Sequence, residues 1–234
     1  MAKITPRETC VLIPAYNEAK HIASVIRGVQ DAGFSVWVLD DGSTDETTAV
    51  AAGTGVRVLR SEKNRGKGAC QRRGLEEWLK TNFKAAIFMD SDGQHDPADL
   101  APLLEVLHPG RVDVAIGNRM ENPVGMPRLR RATNRLMSAI VSLAARQKVP
   151  DSQCGLRALT REAVKVIQIR SDRFEAESEI ILEASRKKLN IASLPIRSHY
   201  GNQVSHINPW KDTARFLVFL FRYLLTNFSS KRTL

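Results

Sequence analysis

Two aspartates one residue apart follow a short apolar run in the first half of the chain. The run, residues 85–89, is bounded by polar residues, which predicts a buried strand. If the chain stays extended beyond it, Asp90 and Asp92 point to the same side and can face one cation, with Gln94 as a third oxygen ligand. Carboxylates suit Mg²⁺ or Mn²⁺, and Mg²⁺ is commonly held by one or two carboxylates together with substrate phosphates. The alternative is a ligand-free turn, since Asp and Gly are common turn residues.

Three further apolar runs indicate the elements that would position this pair. Residues 10–13, 36–39 and 56–60 are predicted strands, and each is followed by a segment with the character of a helix. Strands alternating with helices predict an α/β fold, with a mostly parallel central sheet and helices on both faces. Ligands of such sheets bind beyond the carboxyl ends of the strands. Acids follow three of the four predicted strands, and so acidic an edge would be repulsive without a cation or a ligand.

Four segments carry a resemblance to a known family. They are VLIPAYNE, VLDDGSTDET, NRGKGAC and MDSDGQHDP, which begin at residues 11, 38, 64 and 89. Together they resemble the nucleotide-sugar domain of inverting family-2 glycosyltransferases, in the polyprenyl-phosphate branch that includes dolichyl-phosphate mannose synthase. The resemblance covers about residues 8–205 and implies a GT-A-type, Rossmann-like domain.

The resemblance also implies roles for single residues. The donor nucleotide-sugar would contact Pro14, Tyr16, Glu18, Asp41, Lys67, Asp90, Ser91, Asp92 and Arg119. The metal, Mg²⁺ or Mn²⁺, would be held by Asp90, Asp92 and Gln94. The acceptor would meet Arg131 and Arg135, and the residues that carry catalysis would be Asp92, Arg119 and Arg131. The implied partners are a UDP- or GDP-linked sugar donor and a lipid phosphate acceptor.

The second half of the chain would specify that acceptor. Residues 128–147 predict a long helix, and its apolar face carries Leu129, Ala132, Leu136, Ala139, Ile140 and Leu143. Between Met126 and Pro150 lie six basic residues and no acidic one. Basic residues near an anionic bilayer contribute roughly 1 kcal/mol each, and a lipid-phosphate acceptor would need both a membrane surface and a cationic pocket. The alternative is a solvated helix face.

The predicted reaction is inverting transfer of a sugar to a polyprenyl phosphate, of the dolichyl or undecaprenyl type. A phosphate acceptor needs no general base, because it is already ionised near neutral pH. The alternative is an inverting transferase for a soluble or glycan hydroxyl, which would need a base, and Asp151 and Glu177 are the candidates. Glu177 has a second interpretation, since acids favour the first turn of a helix.

One segment departs from the family pattern and leaves the donor open. Dolichyl-phosphate mannose synthases have an Arg-x-Tyr-Gly-x-Ser-Lys segment, which Tyr200 and Gly201 match. The arginine is displaced by one residue to Arg197, Val204 stands at the lysine position, and His206 is the candidate to replace the cation. UDP-glucose or another UDP-sugar is therefore as well supported as GDP-mannose.

Composition agrees with one catalytic domain. The chain has 234 residues and a formal charge of +10. A positive net charge of this size is compatible with nucleic-acid binding. The acidic edge would repel a phosphate backbone, however, so no nucleic-acid partner is expected. A nucleotidyltransferase would want a glycine-rich loop near the first strand, where PAYNE stands instead.

The predicted division is a catalytic domain, residues 1–205, and an amphipathic C-terminal helix, residues 206–234, either packed or membrane-peripheral. Three cysteines are too few for a disulfide framework and suit a reducing compartment. Residues 1–9 have no apolar signal region. We therefore expect a cytoplasmic enzyme that can lie at the cytoplasmic face of the membrane, and the oligomeric state stays open.

Overall fold

A seven-stranded sheet is the framework of the protein in this computed structural model, which describes residues 3–198, 215, 216, 218–221, 223 and 225. The strands are β1 (Thr9–Ala15), β2 (Ser35–Asp40), β3 (Arg57–Arg60), β4 (Ala85–Phe88), β5 (Val114–Asn118), β6 (Arg157–Thr160) and β7 (Ile191–Pro195). Their order across the sheet is β3-β2-β1-β4-β6-β5-β7. Only β6 runs antiparallel to its neighbours, so the predicted mostly parallel sheet is confirmed.

Helices surround the sheet and explain why its central strands are continuously apolar. They are α1 (Ile22–Asp31), α2 (Thr47–Ala52), α3 (Lys67–Leu79), α4 (Leu100–Val106), α5 (Arg128–Ala145), α6 (Arg161–Val166) and α7 (Glu175–Arg186), with 3₁₀ turns at Pro6–Glu8 and Pro97–Asp99. Every residue of β1 is buried, as expected for a strand covered on both faces. α1 buries Ile22, Val25, Ile26 and Val29 on one face, which is the predicted helical spacing.

The reversed strand β6 brings an extra loop to the carboxyl edge of the sheet. Phe88, the last residue of β4, is paired with Arg157, the first residue of β6. The residues before Arg157 therefore lie beside the residues that follow Phe88. The amide of Gly117, near the end of β5, donates to the carbonyl of Leu156 and fixes the same loop from the other side.

The face that α5 buries in the protein is not the leucine-rich face that the sequence predicts to be its apolar face. The buried residues are Asn134, Met137, Ser138, Val141 and Ala145. Two serines account for this choice. Ser138 Oγ lies 3.2 Å from Ser152 Oγ and accepts from the Ser152 amide. Ser142 Oγ donates to the Val149 carbonyl and accepts from the Val149 amide. The leucines point outwards. The helix ends at Ala145 rather than the predicted Gln147, because Arg146 adopts a left-handed backbone with φ 52°.

The chain divides into two compact units, Met1–Gln203 and Val204–Leu234. The described residues of the second unit are helical, and the rings of Phe219 and Tyr223 lie 5.9 Å apart. The division into residues 1–205 and 206–234 and the amphipathic character of the C-terminal segment stay predictions. Tyr200, Gly201, Val204 and His206, on which the donor question depends, lie outside the described residues. None of the helices within the described ranges is both long enough and apolar enough to span a bilayer.

All three cysteines are buried and free. Burial raises the pKa of Cys10 and of Cys154 to about 12, and burial together with the nearby Asp41 and Asp40 raises that of Cys70. A thiol with a raised pKa is a poor nucleophile. The cysteines therefore serve packing.

Candidate donor and metal site

The loops that follow β1 and β2 are joined to each other at the carboxyl edge. The amide of Asn17 donates to Ser43 Oγ (3.0 Å), and the amide of Thr44 donates to Asn17 Oδ1 (2.8 Å). Asn17 has a left-handed backbone with φ 56°, which this residue type tolerates. The amide of Glu18 donates to Thr47 Oγ1 at 2.7 Å. This connection fixes the loop that carries the predicted nucleoside residues.

The three predicted nucleoside residues differ in exposure. Pro14 is buried within β1, Glu18 is partly exposed, and the Tyr16 side chain is 43% exposed. An exposed aromatic ring at a strand end is available to stack on a nucleobase. Nucleoside contact by these residues stays a prediction.

Asp41 anchors the loop that leads into α3. Its carboxylate is buried and accepts two backbone bonds, from the amides of Arg65 (3.0 Å) and Gly66 (2.7 Å). Gly66 has φ 100° and precedes the first residue of α3, Lys67. Through these two bonds Asp41 sets the position of Lys67.

Lys67 lies between two carboxylates. Its Nζ is 2.5 Å from Asp90 Oδ1 and 2.7 Å from Glu177 Oε1. Burial alone would lower the pKa of Lys67, but the charges of Asp90 and Glu177 more than offset it, so the pKa is raised. Lys67 is thus a fixed cation at the acidic edge, and Glu177, in the first turn of α7, is its partner.

The two aspartates of the acidic loop, residues 90–96, have opposite electrostatic situations. Burial would raise the pKa of Asp90, but Lys67 and His95 hold it well below its usual range, with His95 Nε2 at 3.5 Å from Asp90 Oδ2. The pKa of Asp92 is raised by burial and by the charge of Asp90, while its Oδ1 accepts from the Gln94 amide at 2.9 Å. Ser91 between them is buried. Asp90 is therefore paired with the Lys67 ammonium group, whereas burial and the charge of Asp90 disfavour the ionised form of Asp92.

This loop fits a divalent cation through Asp92. Within the described ranges, no group of three or more His, Cys, Asp or Glu side chains is arranged to hold a metal ion, and the predicted set has two carboxylates and one amide. The raised pKa of Asp92 reflects a repulsion that a bound cation would remove. Carboxylate and amide oxygens are also the ligands that Mg²⁺ and Mn²⁺ prefer.

Arg119 and Asp151 form a buried two-pronged ion pair. Arg119 Nε lies 2.8 Å from Asp151 Oδ2, and Arg119 Nη2 lies 3.0 Å from Asp151 Oδ1. The Arg119 amide also donates to Oδ2. Burial would raise the pKa of Asp151, but the guanidinium more than offsets it, so the pKa is lowered. Asp151 orients Arg119 at the end of β5.

Two residues support the acidic loop in ways that sequence reasoning missed: Gly155 in the loop before β6, and Arg157, the first residue of β6. A Cβ atom at Gly155 would lie 2.1 Å from Asp90 Oδ2, so only glycine leaves room for that carboxylate. Arg157 is fully buried and donates to the carbonyls of Cys154 and Glu177. It thereby ties this loop to the start of α7. Neither spacing nor composition signals these contacts, because the partners come from distant segments.

His95 was also missed, although it lies inside the motif itself. It is buried, and its Nε2 lies 3.5 Å from Asp90 Oδ2. The available signal was a histidine directly after Gln94, the last of the predicted metal ligands.

The two predicted acceptor arginines lie on α5. Arg131 is half-buried and its Nε has no hydrogen-bond partner, whereas Arg135 is exposed. Among the described residues, no hydrogen bond or ion pair joins either arginine to residues 90–96. Their acceptor role stays a prediction, and the unpaired Nε of Arg131 is a donor that a phosphate oxygen would satisfy.

Comparisons with known proteins agree with this architecture. The sequence model described as glycosyl transferase family 2 matches residues 10–168. The UDP-N-acetylglucosamine–dolichyl-phosphate N-acetylglucosaminyltransferase of Methanococcus voltae is 32% identical over 213 residues, covering 81% of this chain and 85% of that protein. The dolichyl-phosphate beta-glucosyltransferase of Drosophila melanogaster is 28% identical over 252 positions, and the match covers 93% of this chain and 76% of that protein.

A solved structure shares the fold. Glucosyl-3-phosphoglycerate synthase from Mycobacterium tuberculosis, in complex with Mn²⁺, UDP and phosphoglyceric acid, superposes with a TM-score of 0.69. The two chains are 21% identical, and the superposition covers 94% of this chain and 78% of the other. At this identity the likeness is one of fold, and it confirms the predicted GT-A-type architecture.

Proposed function

The chain belongs to glycosyl transferase family 2 and is a glycosyltransferase, and from that premise we propose that it transfers a sugar from a nucleoside diphosphate sugar to a polyprenyl phosphate. The names of the Methanococcus and Drosophila relatives support a dolichyl-phosphate type of acceptor. The former also supports a UDP-linked donor.

One observation favours a phosphate acceptor over a hydroxyl. Both candidate bases are buried in ion pairs, Asp151 with both of its oxygens on Arg119 and Glu177 on Lys67. A general base must reach the proton that it removes, and Arg119 holds the pKa of Asp151 below its ordinary value despite burial. A phosphate acceptor is ionised without help. The site is therefore better suited to an acceptor that needs no base.

In the proposed reaction an oxygen of the acceptor phosphate attacks the anomeric carbon of the sugar. It approaches from the face opposite the leaving group, so the bond from the anomeric carbon to the diphosphate oxygen breaks as the new bond forms, and the configuration inverts. The nucleoside diphosphate leaves with the electron pair of the broken bond. Arg119, Arg131 and Arg135 would bind the acceptor phosphate and offset its charge.

The donor would lie along the carboxyl edge of β1, β2 and β4. Pro14, Tyr16 and Glu18 would hold the base and ribose, and Asp41 would position the loop that leads into α3. A divalent cation held by Asp92 and Gln94, beside Asp90, would neutralise charge on the leaving diphosphate. Lys67, at the N-terminus of α3, adds a fixed positive charge on the same side.

The acceptor class can be tested with a matched pair of lipids. Purified protein is incubated with UDP-N-acetylglucosamine, UDP-glucose or GDP-mannose, with Mg²⁺ or Mn²⁺, and with a polyprenyl phosphate or the polyprenol of equal length. We expect sugar in the organic phase only with the phosphate, and none when the metal is chelated. Equal transfer to the polyprenol would overturn the phosphate proposal and favour a base-assisted reaction.

The metal position is tested by one substitution. We expect Asp92→Asn to lower transfer by about a hundredfold or more, because the leaving group loses its counter-charge. The exposed Asp31→Asn is the control and should leave transfer unchanged. Circular dichroism checks that both variants fold. Full activity of a folded Asp92→Asn protein would remove Asp92 from the metal site.

A further inference from the structure

α5 carries an exposed apolar stripe, which we call the leucine stripe and define as Leu129, Leu136 and Leu143. Their side chains are 62%, 60% and 82% exposed. Residues seven apart lie two turns apart on one face of a helix, so the stripe is continuous over about 21 Å. The exposed Ala132 and Ala139 lie on the same face. This face is opposite to the one that the helix buries in the protein.

A basic edge runs beside the leucine stripe. Arg128 and Arg135 each precede a leucine of the stripe by one residue, and Arg146 follows the end of the helix. All three are exposed. No acidic residue occurs between residues 126 and 150, so nothing in this segment neutralises them. The helix thus combines an apolar face with an uncompensated positive border.

Charge decides which partner fits this surface. A second copy of the chain would bring the same arginines against these, which is unfavourable. The segment that follows residue 203 is also basic, with five Lys and Arg residues and one Asp, so it is no better matched. An acidic partner is required, and a straight row of leucines with arginines beside it is the pattern of a helix that lies in a membrane surface.

We propose that α5 is the surface by which this protein docks on an anionic phospholipid bilayer. The leucine stripe enters the boundary between headgroups and acyl chains, and Arg128, Arg135 and Arg146 meet the lipid phosphates. Arg131 and Arg135, the proposed acceptor ligands on this helix, would then be near headgroup level, so Arg135 would serve the lipid surface as well as the acceptor phosphate. This proposal rests on the proposed function in one respect: docking would bring the enzyme to a lipid phosphate acceptor. Binding to the bilayer itself requires no acceptor.

Vesicle flotation without donor or acceptor tests the docking. We expect the wild-type protein to float with vesicles of phosphatidylcholine and phosphatidylglycerol, to float less at high salt, and to stay behind with phosphatidylcholine alone. The variant Leu129→Ser/Leu136→Ser/Leu143→Ser should lose at least about tenfold in partitioning, because its apolar contact is removed. The variant Arg128→Gln/Arg135→Gln/Arg146→Gln should lose the preference for the anionic lipid.

Two control variants distinguish vesicle binding through α5 from non-specific binding by other exposed side chains. Phe174→Ser removes an exposed apolar side chain elsewhere (46% exposed), and Lys20→Gln/Arg27→Gln/Lys63→Gln removes three exposed charges outside α5. Both should float like the wild type. Equal flotation of the leucine variant and the wild type would overturn the proposal, as would the absence of wild-type binding to anionic vesicles.

Two further readouts assign the alternative outcomes. If light scattering shows a wild-type dimer that the leucine variant abolishes, and neither protein floats, the stripe is an interface between copies and the membrane proposal is wrong. With a short, water-soluble polyprenyl phosphate the leucine variant should keep wild-type transfer. Failure of every lipid phosphate as acceptor would overturn the proposed function, yet it would leave the flotation result standing.

Discussion

At Lys67 a single ammonium group joins carboxylates that are far apart in the sequence. Asp90 belongs to the acidic loop and Glu177 to α7, and both lie within 2.7 Å of the Lys67 Nζ. Removal of one partner from a buried ion pair costs about 3–5 kcal/mol, because a buried charge is left uncompensated. Lys67 therefore has a structural duty in addition to the proposed donor contact.

We expect Lys67→Met to lower the free energy of unfolding by about 3 kcal/mol, measured by urea denaturation at pH 7. The exposed Lys63→Met is the matched control and should change it by less than about 0.5 kcal/mol. Adding Glu177→Gln to Lys67→Met should restore part of the loss, because one of the two orphaned carboxylates is gone. If the Lys67 and Lys63 variants unfold alike, the ion pairs do not stabilise the fold.

The Arg119–Asp151 pair predicts a dependence of stability on pH. The pKa of Asp151 is lowered in the folded state, so its contribution is present above the unfolded pKa of about 4 and is lost as pH falls through the folded pKa. Asp151→Asn should lower the free energy of unfolding by about 3 kcal/mol at pH 7, since Arg119 is left buried without its partner. The difference from the wild type should narrow below about pH 4.

Urea denaturation between pH 7 and pH 3.5 measures this difference, with Asp31→Asn as an exposed control. A gap between wild type and Asp151→Asn that stays constant over this range would contradict the assignment of the effect to the charged pair.

Among the elements, the start of α3 packs against the start of α7, and this contact brings Lys67 to Glu177. A Cβ atom at Gly68 would lie 2.2 Å from the Ser171 carbonyl oxygen and 2.8 Å from Ala176 Cβ. The backbone opposite cannot withdraw easily, because Glu179 Oε2 accepts from the amides of Arg170 and Ser171. Only glycine therefore allows Lys67 to reach Glu177.

Gly68→Ala should destabilise the protein by about 1–3 kcal/mol through overpacking and should also lower kcat/KM for the donor, because Lys67 moves with the backbone. Gly53→Ala is the control, since its new Cβ atom would meet nothing closer than 3.4 Å. Thermal unfolding and steady-state kinetics measure the two effects. Wild-type values for Gly68→Ala in both assays would show that this junction tolerates a methyl group.

For the whole molecule, the local pattern of apolar residues was sufficient to predict those elements that depend on residues close together in sequence. The apolar runs predicted β1 and β2, and the helical character of the segment after the first run predicted α1. The pattern could not give the direction of β6, because periodicity is the same for parallel and antiparallel strands. Nor could it give the buried face of α5, which two serine contacts with the following loop decide.

The candidate site divides in the same way. The acids at the strand ends were visible in the motifs, whereas the Lys67–Glu177 contact joins residues 110 positions apart. A pattern search over neighbouring residues does not detect a contact between residues so far apart in sequence. The same holds for Gly155 beside Asp90, since the reason for that glycine is a carboxylate contributed by another strand.

The position of β6 between β4 and β5 has a consequence for the order in which the protein is made. A chain emerging from the ribosome completes β1 to β5 first, yet β5 has no place beside β4 until β6 has been synthesised and inserted between them. The first four strands can assemble early, because β1, β2 and β3 pair only within this group and β4 pairs with β1. Asp151 and Gly155 arrive with the late strand, so the protein gains its active edge only after most of the chain has left the ribosome.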